Sequence, residues 1–525
     1  MTGQNSSHAR SSARFALRTA CVLLATCSAL WLAGWATSGV ASAWPRFEDD
    51  AYYYLVIARN VASGYGVTAD GISPTNGFQP LWMWCLVPLA WLTRGDTAWL
   101  LPAAQLAEVG IFCASGALLC TLLRARLGWI PALFGVGVLA FPRFLNVLLG
   151  GLESGLAVLV GVLLIAELWR GTALRSPEPR RSDAWAGALF GLLFLARLDS
   201  VFLAVACAGC VSAQGLASGP APLGARLWRA VRKTLAVFWP AALLAAPYLA
   251  WNLLAFGHVM PISGALKTSH SELHFLPGNV IPTYLGLIAV TFAAAAFELR
   301  RDGDRMLGRT LLALGVGCAL QALHAMVFMT WGVFTWHYAL FVPIGAVAVA
   351  ALARAALGGA PRSLARGAVA ACAVGLAAAH AYALSRLTDT FTIAGREAGR
   401  WVTQSLPPDA VLGMKDSGAF TYFSERRVMN MDGVVNSYEY QETLCSGGLS
   451  EFLAQHGVQY VAQHSVPPDV AAGRYETFTQ PYPCHFAGGR DGELTFRRDQ
   501  EVFRGTPYLA YGGEEHQLVI WRIAP

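Results

Sequence analysis

The chain has 525 residues, 55% of them hydrophobic and only 13% charged, with a mean hydropathy of +0.45; globular proteins average about 25% charged residues. This composition excludes a soluble enzyme, a disordered scaffold and a nucleic-acid binder. Charge is also unevenly placed: residues 1–389 carry 27 basic and 16 acidic side chains, net +11, and residues 390–525 carry 11 and 16, net −5. The chain therefore reads as two domains, a membrane-embedded part (1–389) and a water-soluble tail (390–525).

A membrane span needs about 20 apolar residues to cross roughly 30 Å of hydrocarbon, and Lys/Arg gather in cytoplasmic loops. Arg10, Arg14 and Arg18 mark the start of the apolar run 15–40, which predicts an uncleaved first span leaving the cytoplasm. Residues 44–98 then form one large external loop. Within it the 16-residue run 78–93, with Trp82, Trp84 and Trp91, reads as a helix in the outer leaflet, because a crossing there would turn every later basic cluster outward. Those clusters, at Arg124/Arg126, 170–181, 226–233, 300–309 and 354–366, stay inside. Spans follow at about 98–123, 129–148, 154–169, 184–213, 234–256, 283–299, 306–330, 337–353 and 367–386. The stretch 184–213 starts and ends near inside clusters, so it must be two short helices turning near Arg197 and Asp199. The total is about eleven crossings in a cell inner (plasma) membrane, with the N-terminus cytoplasmic and the tail outside.

Polar side chains are scarce, so their clusters need a cause. The densest is Glu48-Asp49-Asp50, at the start of the external loop. Adjacent carboxylates repel unless a cation, a metal or a proton-accepting role compensates. Residues 51–60 read as a short helix that Asp49 or Asp50 can cap and Gly64 can end, with Ala51, Tyr54, Leu55, Ala58 and Val61 on a face suited to the bilayer. Gly64 and Gly66 lack the strand, third glycine and opening helix of a dinucleotide fingerprint. Further polar points fall at the outer ends of spans: Glu153; Arg197 with Asp199, as a structural pair or a ligand contact; Asn252, His258, Lys267 and Thr268; and Trp331, Trp336, His337 and Tyr338. Lys267 is one of three lysines and lies outside, where a lone cation suits an anionic ligand or an interfacial anchor. Cys207 and Cys210 sit in apolar helix and read as packing residues.

In the tail, 392–404 is amphipathic and ends at Pro407-Pro408; 410–414, 427–431 and 458–462 read as strands and 449–456 as a helix. The tail reads as a small α/β domain over the outer mouth. Its two cysteines, Cys445 and Cys484, could pair outside the cytoplasm.

The run Glu48-Asp49-Asp50-Ala51-Tyr52, with Ile57-Ala58-Arg59-Asn60, Gly64-x-Gly66 and Thr75-Asn76-Gly77-Phe78-Gln79-Pro80-Leu81-Trp82, resembles the first external loop of GT-C type membrane glycosyltransferases. That group includes bacterial arabinofuranosyltransferases and protein mannosyltransferase-like enzymes. Shorter pieces agree in order: Gly151-Leu-Glu153-Ser, Ala196-Arg197-Leu-Asp199, Pro247 to Asn252, Pro261 to Lys267, Trp336-His337-Tyr338, Asp416-Ser-Gly-Ala and Asn430-Met-Asp-Gly-Val-Val-Asn436. The resemblance implies transfer of a sugar from a polyprenyl-phosphate donor to a glycan, lipid or protein hydroxyl outside the cytoplasm. Carried onto these positions it makes Asp49 or Asp50 the catalytic base. Glu48, Asn76, Glu153, Asp199, His337 and Tyr338 would bind substrate, and Lys267 and Arg197 would steady the donor phosphate. Relatives often have Arg-Tyr where this chain has His337-Tyr338, and neutral His is a poorer anion partner than guanidinium. No cofactor is required, although Glu48, Asp49 and Asp50 could hold a divalent metal such as Mg or Mn. Direct displacement predicts inversion at the anomeric carbon. The competing readings are a transporter or flippase of lipid-linked sugars, which predicts inverted repeats that the sequence does not display, and a polytopic receptor or assembly factor, which predicts no acid cluster at the membrane face.

Overall fold

The computed structural model describes residues 47–268, 275, 278, 282–300, 304–386, 390–464, 466, 468–486, 488–509 and 515–523; the first predicted span, 15–40, lies outside them. In chain order the helices are α1 (Asp49–Ala62), α2 (Pro80–Leu92), α3 (Thr97–Leu127), α4 (Trp129–Leu139), α5 (Pro142–Leu148), α6 (Ser154–Arg170), α7 (Asp183–Ala196), α8 (Val201–Ala217), α9 (Leu223–Phe256), α10 (Ile262–Lys267), α11 (Pro282–Arg300), α12 (Arg305–Phe328), α13 (Phe341–Leu357) and α14 (Arg362–Arg386). The tail adds α15 (Thr390–Ser405), β1 (Val411–Met414), α16 (Gly418–Ser424), β2 (Arg427–Asn430), α17 (Tyr438–Cys445), α18 (Leu449–Gln455), β3 (Tyr460–Gln463), α19 (Pro468–Ala471), β4 (Thr477–Tyr482), β5 (Gly492–Arg497), β6 (Glu501–Arg504), β7 (Tyr508–Leu509), β8 (Glu515–His516) and β9 (Val519–Arg522).

This is a multi-pass helical membrane protein with a sheet-containing C-terminal domain. Among the described residues six helices are long and apolar enough to cross a membrane, or seven if α4 and α5, bent by 65°, make one span. Ten of the eleven predicted crossings fall on described residues, and three of these helices, α6, α7 and α13, have 17, 14 and 17 residues, fewer than the about 20 of a perpendicular span. Helix α2, at 13 residues, is about 20 Å long. It leaves Trp84 and Trp91 exposed and buries Trp82, whose indole N–H donates to the Gly151 carbonyl.

The stretch 184–213 does fold as two helices, joined by a 3₁₀ turn at Leu198–Ser200. Both pack on α9, in opposite directions. Gly187 and Gly191 of α7 meet Val237 and Ala241, whereas Ser212 and Gly215 of α8 meet Thr234 and Ala230. Each glycine lies where a Cβ would fall within about 3 Å of α9 backbone, the close approach that small residues permit between membrane helices.

Helix α1 departs from expectation. Ala51 through Ala58 are all buried, so the stripe Ala51, Tyr54, Leu55, Ala58 and Val61 does not lie on a bilayer. It is packed under the loop and the tail, in one apolar cluster with Trp82, Leu266, Ala419, Tyr422 and Val434. Neither Asp49 nor Asp50 caps it; the N-cap is Glu48.

The tail's sheet has the order β2-β1-β3-β9-β6. β1 runs parallel to β2 and β3, and β9 antiparallel to β3 and β6. β1 and β3 are buried along their whole length, as strands covered on both faces are. One face packs Val411, Val461 and Trp521 on α17 and α18; the other packs Leu412, Ala462 and Ile520 on α15 and α16. Cys445 and Cys484 form a disulfide.

Candidate active site

A cavity of about 580 Å³ opens where α7 turns into α8. Asp50, Tyr53 and Tyr54 of α1, Gly77 and Gln79 before α2, and Glu153, Arg197 and Asp199 form much of its polar wall. Lys267, Gln321 and His337 complete that wall, while Phe194, Phe202, Ala325, Met329 and Val333 make an apolar side, and Val434 and Val435 of the tail close it from above.

The bundle contributes a fixed charge network. Arg197 Nη1 donates to Glu153 Oε1 (2.7 Å) and to the Trp336 carbonyl (3.1 Å), while its Nε and Nη2 donate to the two oxygens of Asp199 (3.1 and 2.9 Å). Four of the five guanidinium donors are thereby spent. Tyr54 Oη donates to Glu153 Oε2 (2.8 Å) and accepts from the Gln79 amide (3.0 Å). Gln321 donates to Asp199 (2.9 Å), and Gln79 Oε1 accepts from Leu198 N (3.0 Å). Two carboxylates therefore more than offset the Arg197 charge, and the Arg197–Asp199 pair is present.

The adjacent acids of α1 point differently. Asp49 accepts from the backbone N–H groups of Gly418 and Ala419 in the tail, both at 2.8 Å. Asp50 lines the cavity. Removal from bulk water raises the proton affinity of Asp50; Lys267 opposes this and Asp432 adds to it. Asp49 is likewise raised, by desolvation against the pull of its two N–H bonds.

Lys267 faces the cavity from the end of α10, with its ammonium 5.7 Å from the Trp331 ring centre. Among the described residues Lys267 makes no ion pair, in contrast to Arg197, which is paired with Glu153 and Asp199. His337 Nδ1 lies 3.1 Å from Phe334 N and 3.2 Å from the Phe334 carbonyl oxygen, partners that suit opposite tautomers of the ring. The ring is partly buried and stacks near Trp336, with centroids 6.0 Å apart.

The other predicted residues lie beside the cavity. Asn76 is buried, donating to Asn252 and accepting from Ile262 N, which fastens the first loop to α9 and α10. Tyr338 is buried, its hydroxyl accepting from Arg143. Glu48, Asp49, Asn76 and Tyr338 are absent from the cavity wall. Glu48, Asp49 and Asp50 do not converge: Asp49 turns to the tail and Asp50 to the cavity. Among the described residues no group of three His, Cys, Asp or Glu side chains is arranged to hold a metal. Thr268 bonds the Gly264 carbonyl, and His258 stacks on Tyr438 of the tail at 3.9 Å.

Sequence reasoning missed the tail's share. Tyr53 Oη accepts from Ser417 N (2.8 Å) and Asn430 Nδ2 (2.9 Å), and Asp432 accepts from Asp416 N and Asn430 Nδ2. The signal was the pair of polar-glycine runs at 416–419 and 430–436, which follow the strands β1 and β2.

A family model described as a domain of unknown function (DUF8728) matches residues 384–503. No curated protein sequence matches the chain. Among solved structures the chain is similar to ArnT from Cupriavidus metallidurans in the apo state, with 14% identity, a TM-score of 0.53 and coverage of 90% of this chain and 97% of that one. It is similar to the same protein bound to undecaprenyl phosphate, with 14% identity, a TM-score of 0.51 and coverage of 95% and 97%. The chain thus carries the GT-C fold, the architecture of membrane glycosyltransferases.

Proposed function

We propose that the chain is a glycosyltransferase that moves a sugar from a polyprenyl-phosphate donor to an acceptor hydroxyl on the extracytoplasmic side. The observation that carries this reading is the facing of one carboxylate, Asp50, and one cation, Lys267, across a single cavity in a chain of GT-C fold. The solved relative binds undecaprenyl phosphate, which supports the same class of donor here.

An alcohol becomes a competent nucleophile when a base within hydrogen-bond reach takes its proton. Asp50 has that role, and its raised proton affinity makes it a stronger base than an exposed carboxylate. The leaving phosphate gains charge as the glycosidic bond breaks, and a preplaced cation stabilises it; Lys267 supplies that charge. The Glu153–Arg197–Asp199 network, in which two carboxylates already occupy the guanidinium, shapes the sugar pocket. The apolar side keeps the prenyl chain out of water. Attack from the Asp50 side and departure toward Lys267 is a single displacement, so the product is inverted.

The test is incubation of the purified full chain with a panel of polyprenyl-phosphate sugars, reading released polyprenyl phosphate. Release by the wild type and its loss in a correctly inserted Asp50→Asn protein is the expected result. Normal release by Asp50→Asn would overturn the assignment, and transport of intact donor without release would favour a flippase.

A further inference from the structure

Successive residues of an α-helix point about 100° apart. Of Asp49 and Asp50, at the start of α1, only Asp50 lines the cavity, and the rotation of the helix decides which of the two does. The cavity side of α1 carries Asp50, Tyr53 and Tyr54. The tail grips α1 through Asp49 with Gly418 N and Ala419 N, and through Tyr53 Oη, at the edge of the cavity, with Ser417 N and Asn430 Nδ2. The fit is close: a Cβ on Gly418 would lie 1.9 Å from the Asp49 carbonyl oxygen. Tyr422 and Phe423 pack on the Tyr52 ring at 5.5 and 5.7 Å, so apolar contact surrounds the polar one.

We infer that Asp49 is a positioning residue: by holding Gly418 and Ala419 it fixes the rotation of α1 that aims Asp50 into the cavity, and it makes the tail a working part of the site. The inference rests on the reading of Asp50 as the base, but its own test does not need turnover.

Among the described residues five titratable groups lie near Asp50: Asp49 and Tyr53 on its own helix, Lys267 on α10, and Asp416 and Asp432 on the tail. Enclosure is the largest influence, and it depends on the tail sealing α1. Loosening the contact admits water and moves Asp432 away, and both effects lower the proton affinity of Asp50. Lys267, retained on the bundle, pulls the same way.

The experiment labels the full chain in nanodiscs with dicyclohexylcarbodiimide, which reacts with protonated carboxyls, across a pH series, reading the adduct at Asp50 by peptide mass. Wild type, Asp49→Asn and Gly418→Ala are compared, with Asp50→Asn as the blank. The two variants disturb opposite sides of one contact. Each is expected to move the half-labelling pH of Asp50 downward. In the release assay each lowers kcat by about tenfold to a hundredfold while the donor KM changes by less than about twofold, the pattern of a misplaced catalytic group. A wild-type labelling curve in either correctly inserted variant overturns the inference. Failure of the base assignment reads separately, as normal turnover by Asp50→Asn, and leaves the labelling result to stand or fall by itself.

Discussion

Helix α7 carries a buried ion pair at each end, and the two ends differ in what they leave undone. At the end bearing the basic clusters, Lys233 meets Asp183 at 2.6 Å with both side chains fully buried. The ammonium also donates to the carbonyls of Thr172 and Glu178, which uses all three of its protons, and Asp183 also accepts from Thr172 Oγ1 and Arg180 N. This end is closed. About 21 Å away, by the rise of a 14-residue helix, Arg197 satisfies Glu153 and Asp199, yet the network borders a cavity into which Asp50 and Lys267 also face. Buried charge by itself marks structure; charge left facing a cavity marks chemistry.

Substitutions can break that contrast. Asp50→Asn has the largest expected effect, a loss of about 10²- to 10⁴-fold in kcat with insertion and melting unchanged. The acid limb of the wild-type kcat/KM profile has a definite sign. The base must be deprotonated and its proton affinity is raised, so activity falls with falling pH at a midpoint above the ordinary Asp value of about 3.9. Lys233→Met strands Asp183 in the closed end, an expected cost of about 3–5 kcal/mol, seen as a lower Tm with unchanged donor KM; adding Asp183→Leu restores most of it. A kinetic effect of Lys233→Met in excess of the stability loss would erase the distinction between the two ends. Lys267→Met removes the charge-assisted contact to phosphate, about 1.5–3 kcal/mol, and should weaken donor use about tenfold to a hundredfold, with partial recovery in Lys267→Arg. Thr97→Ala deletes an exposed hydrogen bond to Glu425 at 2.8 Å and is expected within about 0.5 kcal/mol of wild type.

The legible part of the molecule was what periodicity and charge dictate. The break in 184–213 followed from basic residues at both ends. Strands 411–414, 427–430 and 460–463 and the helix 449–455 follow from short apolar runs between turn residues, and the pairing of Cys445 with Cys484 from their being the two tail cysteines. The β4–β5 hairpin and β9 were missed because their alternation is interrupted, by Pro481 in β4 and by the apolar run Val519-Ile520-Trp521 in a strand covered on both faces. The face of α1 was misread because a helix buried all round has no outer stripe to find. The division between Asp49 and Asp50 was invisible for a related reason: it is set by residues more than 360 positions away, a separation no local pattern reports.

The central claim is that one cavity holds both the donor phosphate and the base. The most direct measurement is an experimental structure of the full chain with undecaprenyl phosphate bound. The account predicts the phosphate within ion-pairing distance, about 4 Å, of the Lys267 ammonium, in the same chamber as the Asp50 carboxylate and clear of Asp49. A phosphate seated away from Lys267, or walled off from Asp50, would contradict it.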